Sequence, residues 1–319
     1  MRSLTMDKLL VPSSPHVHTR ESTARIMWTV TASLIPAGIA GVFLFGRSAL
    51  LVIFWAILGA CASEWVIQKL TRRTPTLADG SAVLTGLLLA FNLPAGVPFW
   101  IPVVGSVVAI GVGKLAFGGL GQNIFNPALV GRVFLLASWP KYMTAFTRPL
   151  NVDAVTEATP LALLKGGQSI DHIPYLDLFL GNRGGCLGEV CVIALLAGAL
   201  FLLIKGYISW HIPVSYIATV GLFTFVFGGA RLFAGDWLFH ILSGGLVLGA
   251  FFMATDYVTS PLTYKGHLIF GAGCGILTGV IRLWGGYPEG VSYAILMMNA
   301  AVPLIDQFTR PRVYGSLKE

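Results

Sequence analysis

A short polar segment, DAVTEATPLALL at 153–164, interrupts a sequence that is otherwise largely apolar. It contains two hydroxyl side chains, Thr156 and Thr159, and the carboxylates Asp153 and Glu157 stand on either side of the first. Thr159 directly precedes a proline and an apolar run, which is typical of a helix with Thr as its N-cap and Pro at its first position. A helix amino terminus offers unpaired N–H groups and a positive dipole to a phosphate.

Polar side chains also occur inside the apolar runs. Even on the gentlest scale, a charge at the centre of a bilayer costs at least about 2.5 kcal/mol, so such groups usually have partners. Helix-breaking residues accompany four of them, and a break frees backbone groups that can bind an ion or a ligand. For these four residues two interpretations remain, a functional site and a simple helix cap. The residues are Asn123, Asn126, Asp256 and Glu289.

Other polar residues have simpler interpretations. Asp79, Asp236 and Asp306 are expected at helix ends in headgroup water, and Lys114 is expected to snorkel to the surface. The four cysteines are scattered, and the two histidines of SPHVH lack a third ligand, so we predict no metal site. The glycine-rich GVGKLAFGGLG lacks the spacing of a phosphate loop.

The composition determines the class of protein that must position these residues. Of the 319 residues, 55% are hydrophobic and only 11% are charged, whereas about a quarter of the residues of a soluble domain are charged. Apolar runs long enough to cross a bilayer recur along the chain. The sequence therefore predicts an all-α polytopic membrane protein. The net charge of +7 is explained by basic cytoplasmic loops, so we predict no nucleic-acid partner.

Ten membrane spans are predicted, at 26–45, 50–70, 81–93, 99–117, 129–139, 187–204, 212–233, 237–254, 266–283 and 291–305. Basic residues precede the first span and follow the second and the last, which predicts that both termini are cytoplasmic. Since five spans precede it, the long loop at 140–185 is predicted to lie outside.

The two halves resemble each other in the order of their broken segments. GSAVLTGLLLAFNLP matches GGLVLGAFFMATDYVTSP, and GGLGQNIFNPALVGRVF matches GGYPEGVSYAILMMNAAVP. The matched segments are five spans apart, so the second repeat should be inverted, and inverted repeats with broken helices bind ligands near the membrane midplane. We therefore predict a cytoplasmic segment at 1–25, repeats at 26–139 and 186–309, the outside loop at 140–185 and a cytoplasmic tail at 310–319.

Four long motifs, in order along the chain, resemble one protein family. They are SPHVHTRESTARIM, KLAFGGLGQNIFNPALVGRVF, FFMATDYVTSPLTYKGHLIFG and GGYPEGVSYAILMMN. The resemblance is to the D-type subunit of the Rnf complexes, which are ion-translocating ferredoxin:NAD oxidoreductases. The sister family is the B-type subunit of the sodium-pumping NADH:quinone reductases, whose longer amino-terminal extension is missing before the first span here.

The resemblance implies a covalent flavin. Members of the family carry FMN joined through its phosphate to a threonine in a motif similar to D-x-x-S/T-G-A-T. That motif corresponds to Asp153, Thr156, Ala158 and Thr159 here, with Thr159 as the attachment site. Glu157 departs from the pattern, because the family usually has glycine at that position.

The resemblance also implies a role and partners. The chain would be an electron-transfer subunit in the cytoplasmic membrane of a prokaryote, working with the other Rnf subunits and a flavin transferase, and moving Na⁺ or H⁺. The resemblance leaves open whether a second, non-covalent flavin lies between the repeats. Two alternatives remain: a subunit of the quinone-reducing sister complex, and a flavin-free channel or secondary transporter, which has the same repeat architecture.

Overall fold

The computed structural model describes residues 21–149, 156–168, 173–229 and 231–310. Its first half consists of helices joined by short breaks, two of which contain 3₁₀ turns at Leu77–Asp79 and Leu115–Phe117. The helices are α1 (Thr23–Phe45), α2 (Arg47–Leu70), α3 (Ser81–Phe91), α4 (Trp100–Gly111) and α5 (Pro127–Ser138).

A loop region with little regular structure follows α5. It contains α6 (Pro140–Met143), β1 (Phe146–Thr147), β2 (Thr156–Glu157), α7 (Pro160–Lys165) and α8 (Tyr175–Leu180). The two short strands pair antiparallel, with Phe146 opposite Glu157. This pairing brings the end of the first half next to the segment that leads to Thr159.

The second half is again helical. It contains α9 (Val192–Lys205), α10 (His211–Phe227), α11 (Trp237–Leu242), α12 (Leu246–Leu248), a π-helix (Gly249–Met253), α13 (Tyr264–Trp284) and α14 (Val291–Thr309). Each of the ten predicted spans overlaps a helix or a broken helix. The chain is therefore an all-α polytopic membrane protein.

Five of the described helices are long and apolar enough to cross a membrane. They are Thr23–Phe45, Arg47–Leu70, Trp100–Phe117, Tyr264–Trp284 and Val291–Thr309. Shorter apolar helices lie at Ser81–Phe91, Pro127–Ser138, Val192–Lys205 and His211–Phe227. As predicted, the third and fifth segments are too short to span about 30 Å of hydrocarbon by themselves.

The two halves pack in the same pattern. In the first half α2 packs against α3 and α4, and in the second half α10 packs against α11, the π-helix and α13. The pairs α4–α5 and α13–α14 also correspond, and the halves meet through α1–α9 and α5–α14. The contacts thus follow the same order in the two halves, and the division into two repeats of five spans remains a prediction.

Small residues allow the closest of these contacts. Gly271, Gly275 and Gly279 lie four residues apart on α13, and a Cβ at each would strike a side chain of α10. Membrane helices commonly associate through small residues that let their backbones approach closely. In lipid there is no hydrophobic driving force between helices, so this close packing stabilises the contact.

The boundary predicted at residue 187 for the sixth span is wrong, because α9 begins five residues later. The preceding segment binds instead to the break that follows α3. Leu187 N donates to Leu93 O at 3.0 Å, and Gly188 N donates to Phe91 O at 2.9 Å. These hydrogen bonds hold the start of the second half against the broken third span.

The eighth span is broken as well as short. Its α11 ends at Leu242, and Gly244 then has a φ of +70°, a conformation that favours glycine. A Cβ on Gly244 would also lie 2.9 Å from Leu161 Cδ1 and 3.2 Å from Arg282 Nη2. Leu161 of α7 and the buried Arg282 therefore both pack close to this break.

The three aspartates predicted at helix ends all lie at the end of a helix. Asp79 Oδ1 accepts from Ser81 N at 2.8 Å where α3 begins, and Asp236 Oδ1 accepts from Phe239 N at 3.0 Å in the first turn of α11. Asp306 lies in the last turn of α14, where its Oδ1 accepts from Leu262 N at 3.0 Å. All three carboxylates satisfy backbone N–H groups.

Candidate functional site

Thr159 begins α7, which confirms the predicted N-cap. Its Oγ1 accepts a hydrogen bond from Ala162 N at 3.2 Å, and Pro160 takes the first helical position. The side chain of Thr159 is buried, with 4% of its surface exposed. The hydroxyl is thus held in a fixed place and is not free on a loose loop.

The remaining residues of the motif are located less completely. Asp153 lies outside the described residues, and Thr156 is described only as part of β2. Ala158 is exposed to solvent. The relation of these three to Thr159 therefore remains a prediction.

The short helix α7 is fastened to the second half. Lys165 Nζ, at its end, donates to three backbone oxygens: Ile281 O at 3.2 Å, Arg282 O at 3.4 Å and Tyr287 O at 2.7 Å. Partial burial lowers the pKa of Lys165. Leu161 packs in a small core of its own with Ile173, Leu178 and Phe239. Thr159 is thereby fixed relative to the end of α13.

Thr159 faces a cavity of about 350 Å³, which we call the threonine pocket. Its polar lining residues are Thr159, Asp177, Arg183, Glu189, Ser243 and Glu289. Arg183 Nη2 lies 3.8 Å from Asp177 Oδ2, and the buried Ser243 Oγ has no hydrogen-bond partner among the described residues. A guanidinium and a spare hydroxyl beside Thr159 suit a phosphate attached to that residue.

Behind this pocket a buried ion-pair network joins the two halves. Arg132 of α5 donates to Glu289 Oε2 at 2.5 Å and to Asn92 Oδ1 at 2.5 Å. Its guanidinium also lies 3.8 Å from Cys186 Sγ. Glu189 Oε1 accepts from Cys186 N at 2.8 Å, whereas its buried Oε2 has no partner among the described residues. The network thus keeps one carboxylate oxygen available.

Cys186, Glu189 and Glu289 place their potential ligand atoms within 4.8 Å of one another. Three such donors could in principle hold a metal ion. However, Arg132 donates to Glu289 and contacts Cys186, so one positive charge already occupies this environment. The arrangement is therefore an ion-pair network with one unpaired oxygen.

A second cavity, of about 790 Å³, lies between the halves, and we call it the central cavity. Three predicted site residues line it: Asn123, Asn126 and Asp256. Asn126 Oδ1 caps α5 by accepting from Ala128 N at 3.1 Å, while its Nδ2 donates to Met253 O at 3.2 Å. Asn126 thus connects a broken helix of each half.

The other two residues complete one polar side of the central cavity. Asn123 is buried and its Nδ2 donates to Phe125 O at 3.2 Å, and the Asp256 carboxylate, which lines the same cavity, accepts from Thr259 Oγ1 at 3.3 Å. The structure therefore brings Asn123, Asn126 and Asp256 together. Glu289 belongs to the other site, with Arg132.

Lys114 also lines the central cavity, and the prediction that it snorkels is wrong. Only 2% of its surface is exposed, and its Nζ lies 2.8 Å from Glu64 Oε1, 2.9 Å from Glu64 Oε2 and 2.6 Å from Ser81 Oγ. Glu64 is fully buried, and its Oε1 also accepts hydrogen bonds from Gln68 Nε2 and Thr76 Oγ1. A buried ion pair thus replaces the expected surface lysine.

The second half has a basic residue at the position that the predicted repeat matches with Lys114. Lys114 in GVGKLAFGG corresponds to Arg282 in GVIRLWGG. Arg282 is buried, and its guanidinium donates to the backbone oxygens of His240 and Ser243 at the break of the eighth span. Each of these basic residues therefore contacts the end of a short helix. Lys114 contacts Ser81 at the start of α3, and Arg282 contacts Ser243 directly after α11.

The family model for the NQR2, RnfD and RnfE proteins matches residues 10–315, which is nearly the entire chain. The chain belongs to the NQR2, RnfD, RnfE family. The match includes both halves, both cavities and the segment of Thr159.

Relatives within the family are similar along their full length. The chain is 52% identical over 312 residues to the D-type subunit of the Na(+)-translocating ferredoxin:NAD(+) oxidoreductase complex of Acetobacterium woodii, covering 97% of this chain and 96% of that protein. It is 50% identical over 320 residues to the proton-translocating counterpart of Clostridium ljungdahlii, covering 96% of each. With the D-type subunit of the ion-translocating oxidoreductase complex of Escherichia coli O81 the identity is 39% over 350 residues, covering 97% and 99%. These relatives confirm the resemblance to the D-type Rnf proteins.

Several residues of these sites were not predicted from the sequence. Glu64 is an acid within an apolar run, and the high cost of a buried charge was the signal that could have found it. Cys186 and Glu189 gave no such signal, because they occur in the glycine-rich GCLGEVC before α9. Their role depends on contacts with residues far away in the chain.

Proposed function

We propose that this chain is the membrane electron-transfer subunit of an ion-translocating ferredoxin:NAD oxidoreductase complex, and that it carries FMN bonded through phosphate to Thr159. The observation that carries the proposal is the full-length similarity to proteins named as the D-type subunit of such complexes. The chain would act with the other subunits of the complex and not by itself.

The surroundings of Thr159 support the flavin attachment. Its buried hydroxyl opens on the threonine pocket, which is lined by the positive charge of Arg183 and by Ser243, whose hydroxyl has no hydrogen-bond partner among the described residues. Attachment forms a bond between Thr159 Oγ1 and the phosphorus of a flavin-nucleotide donor and breaks the bond from that phosphorus to its leaving group, which departs as the hydroxyl loses its proton, so the chain gains the mass of FMN less one water. A flavin transferase would be the partner for this step. The flavin supplies the redox chemistry, and the protein supplies its placement.

The central cavity supports the second part of the function. Ligand sites are mostly apolar with a few polar groups, and they often lie between structural units, as this cavity does between the two halves. Its walls are mainly apolar, with Asn123, Asn126 and Asp256 on one side and the paired Lys114 on the other. A second, non-covalent flavin would fit this composition, and the polar side would form part of an ion path between the repeats.

The membrane position follows from the basic loops. Both termini would be cytoplasmic, and the loop that contains Thr159 would lie outside the cytoplasmic membrane of a prokaryote. Relatives at 52% and 50% identity are named for different cations, Na⁺ and H⁺. The choice of cation therefore depends on differences finer than overall similarity.

Denaturing electrophoresis of the purified complex tests the proposal. A yellow fluorescent band at the mass of this chain, with an intact mass raised by FMN less one water, is expected. A chain without chromophore would contradict the flavin subunit and favour the channel or secondary transporter. Co-purification with a ferredoxin-type iron–sulfur subunit, rather than a quinone-reducing activity, would distinguish this complex from its sister.

A further inference from the structure

A third cavity, of about 510 Å³, lies beside the threonine pocket, and we call it the aromatic pocket. It is lined by Arg132, Met143, Phe146, Tyr287, Glu289 and Tyr293, among others. The Tyr287 and Tyr293 rings are stacked at 5.3 Å with an angle of 24° between their planes. The pocket therefore combines flat aromatic walls with one buried guanidinium.

Two features connect this pocket with Thr159. Glu289 lines both the aromatic pocket and the threonine pocket, so the two pockets share this side chain. Phe146 lines the aromatic pocket and pairs in the two-stranded sheet with Glu157, two residues before Thr159. A group attached to Thr159 therefore has the aromatic pocket within its reach.

The two pockets differ in what they can accept. The threonine pocket is the smaller of the two, and its lining includes the charged and polar side chains of Asp177, Arg183, Glu189, Ser243 and Glu289 beside Thr159. It suits a phosphate and the polar chain that follows it. The larger aromatic pocket has the apolar and aromatic side chains on which a flat heteroaromatic ring stacks.

We propose that the aromatic pocket receives the isoalloxazine ring of the FMN on Thr159, and that Arg132 and Glu289 set its reduction potential. This inference rests on the proposed function. The phosphate lies in the threonine pocket, and the ring lies against Tyr287 and Tyr293. Arg132 is held in position by Asn92 and Cys186, so its charge has a fixed place beside the ring.

The two charges act on the ring in opposite directions. An electron that arrives from the preceding carrier adds one negative charge to the ring, and the same electron leaves to the next carrier. The guanidinium of Arg132 stabilises the added charge, whereas the carboxylate of Glu289 opposes it. Burial keeps these effects large, since Arg132 is only 7% exposed.

Flavin fluorescence tests the position of the ring. A tyrosine stacked on a flavin quenches its fluorescence, so the native complex should be dim and the denatured chain bright. Tyr293→Leu should raise the ratio of native to denatured fluorescence toward one. Val133→Trp, which narrows the pocket, should raise it as well by displacing the ring.

Tyr142→Leu is the matched control, because Tyr142 packs on Trp100 and is not among the lining residues of the pocket. It should leave the ratio at the wild-type value. A fluorescent gel band with an unchanged ratio in both pocket variants would overturn this assignment and leave the proposed function intact. Absence of the band from the wild-type chain would instead contradict the proposed function.

Redox titration of the complex tests the two charges. Arg132→Gln should shift the potential of the covalent flavin to more negative values, and Glu289→Gln should shift it to more positive values. The signal that disappears in Thr159→Ala identifies this flavin in the titration. The double variant Arg132→Gln/Glu289→Gln should return toward the wild-type potential. Shifts of the same sign in both single variants, or no shift in either, would overturn the role given to these charges.

Discussion

Arg132 in α5 and Glu289 before α14 form a buried ion pair, with 2.5 Å between Nη2 and Oε2. They are 157 residues apart in the sequence and belong to opposite halves of the molecule. Glu289 lines both the threonine pocket and the aromatic pocket, and Arg132 lines the aromatic pocket. The ion pair therefore joins the two halves and also forms part of the surroundings of both pockets.

Removing one partner of this pair should destabilise the protein more than removing both. A single loss from a buried pair leaves an uncompensated charge and typically costs about 3–5 kcal/mol. Arg132→Gln and Glu289→Gln should each shorten the half-life of the solubilised complex at a fixed temperature, and the double variant should recover part of it. A double variant whose loss equals the sum of the single losses would show that the two residues are not coupled.

The sequence could predict the class of the fold because hydropathy depends on local composition. Runs such as α1 and α2 are continuous, so their bounds were predicted within a few residues. The start of α9 could not be predicted, because Leu187 and Gly188 donate to Leu93 O and Phe91 O, which are far away in the sequence, and not within α9. The end of α10 at Phe227, six residues before the predicted one, has a similar cause: Phe233 N and Gly235 N donate back to Val226 O and Phe225 O.

The same limit applies to the sites. Thr159 could be predicted as a helix N-cap because Pro160 follows it directly, and Asn126 gave a similar local signal before Pro127. The ion pair of Lys114 could not, because Glu64 is fifty residues away and no local pattern joins them. Polar residues at membrane depth indicate that partners exist, and only the fold identifies those partners.

Lys114 should be essential for stability, in contrast to a snorkelling lysine. Lys114→Met leaves the carboxylate of Glu64 buried without its counterion, which should cost about 3–5 kcal/mol. Ser81→Ala removes one neutral partner of the same ammonium and should cost only about 1 kcal/mol. Thermal inactivation of the complex measures both changes. A Lys114→Met variant as stable as Ser81→Ala would mean that the pair contributes little.

Asp256 and Asn126 should affect the central cavity and leave the covalent flavin in place. Asp256→Asn keeps the shape of the side chain and removes its charge, so non-covalent flavin or coupled ion transport should decrease. Asn126→Ala removes the contact with Met253 O and a helix cap worth about 0.5–2 kcal/mol. Flavin released by denaturation and ion uptake into vesicles are the measurements. Asp236→Asn, outside this cavity, is the control and should change neither quantity.

The membrane orientation predicts which loops are accessible from outside the cell. Arg148 is exposed in the loop after α6, and Thr74 is exposed between α2 and α3. An impermeant thiol reagent should label Arg148→Cys in intact cells, whereas Thr74→Cys should react only after the membrane is opened. The unmodified chain gives the background from the native cysteines. The reverse pattern would move Thr159 to the cytoplasmic side.

Thr159→Ala should abolish the covalent flavin, and a second variant separates this effect from the loss of the helix cap. Thr159 Oγ1 caps α7 through Ala162 N, and removing that cap costs about 0.5–2 kcal/mol. Thr159→Asn keeps a good N-cap but has no hydroxyl to bond phosphorus. Both variants should lose in-gel fluorescence and the mass of FMN less one water, and Thr159→Asn should keep the wild-type stability. Thr156→Ala should retain the flavin on Thr159, because Thr156 belongs to β2 and precedes the helix start. Detection of the added mass on the Thr159→Asn chain would place the attachment on another residue, and peptide mapping would then identify it.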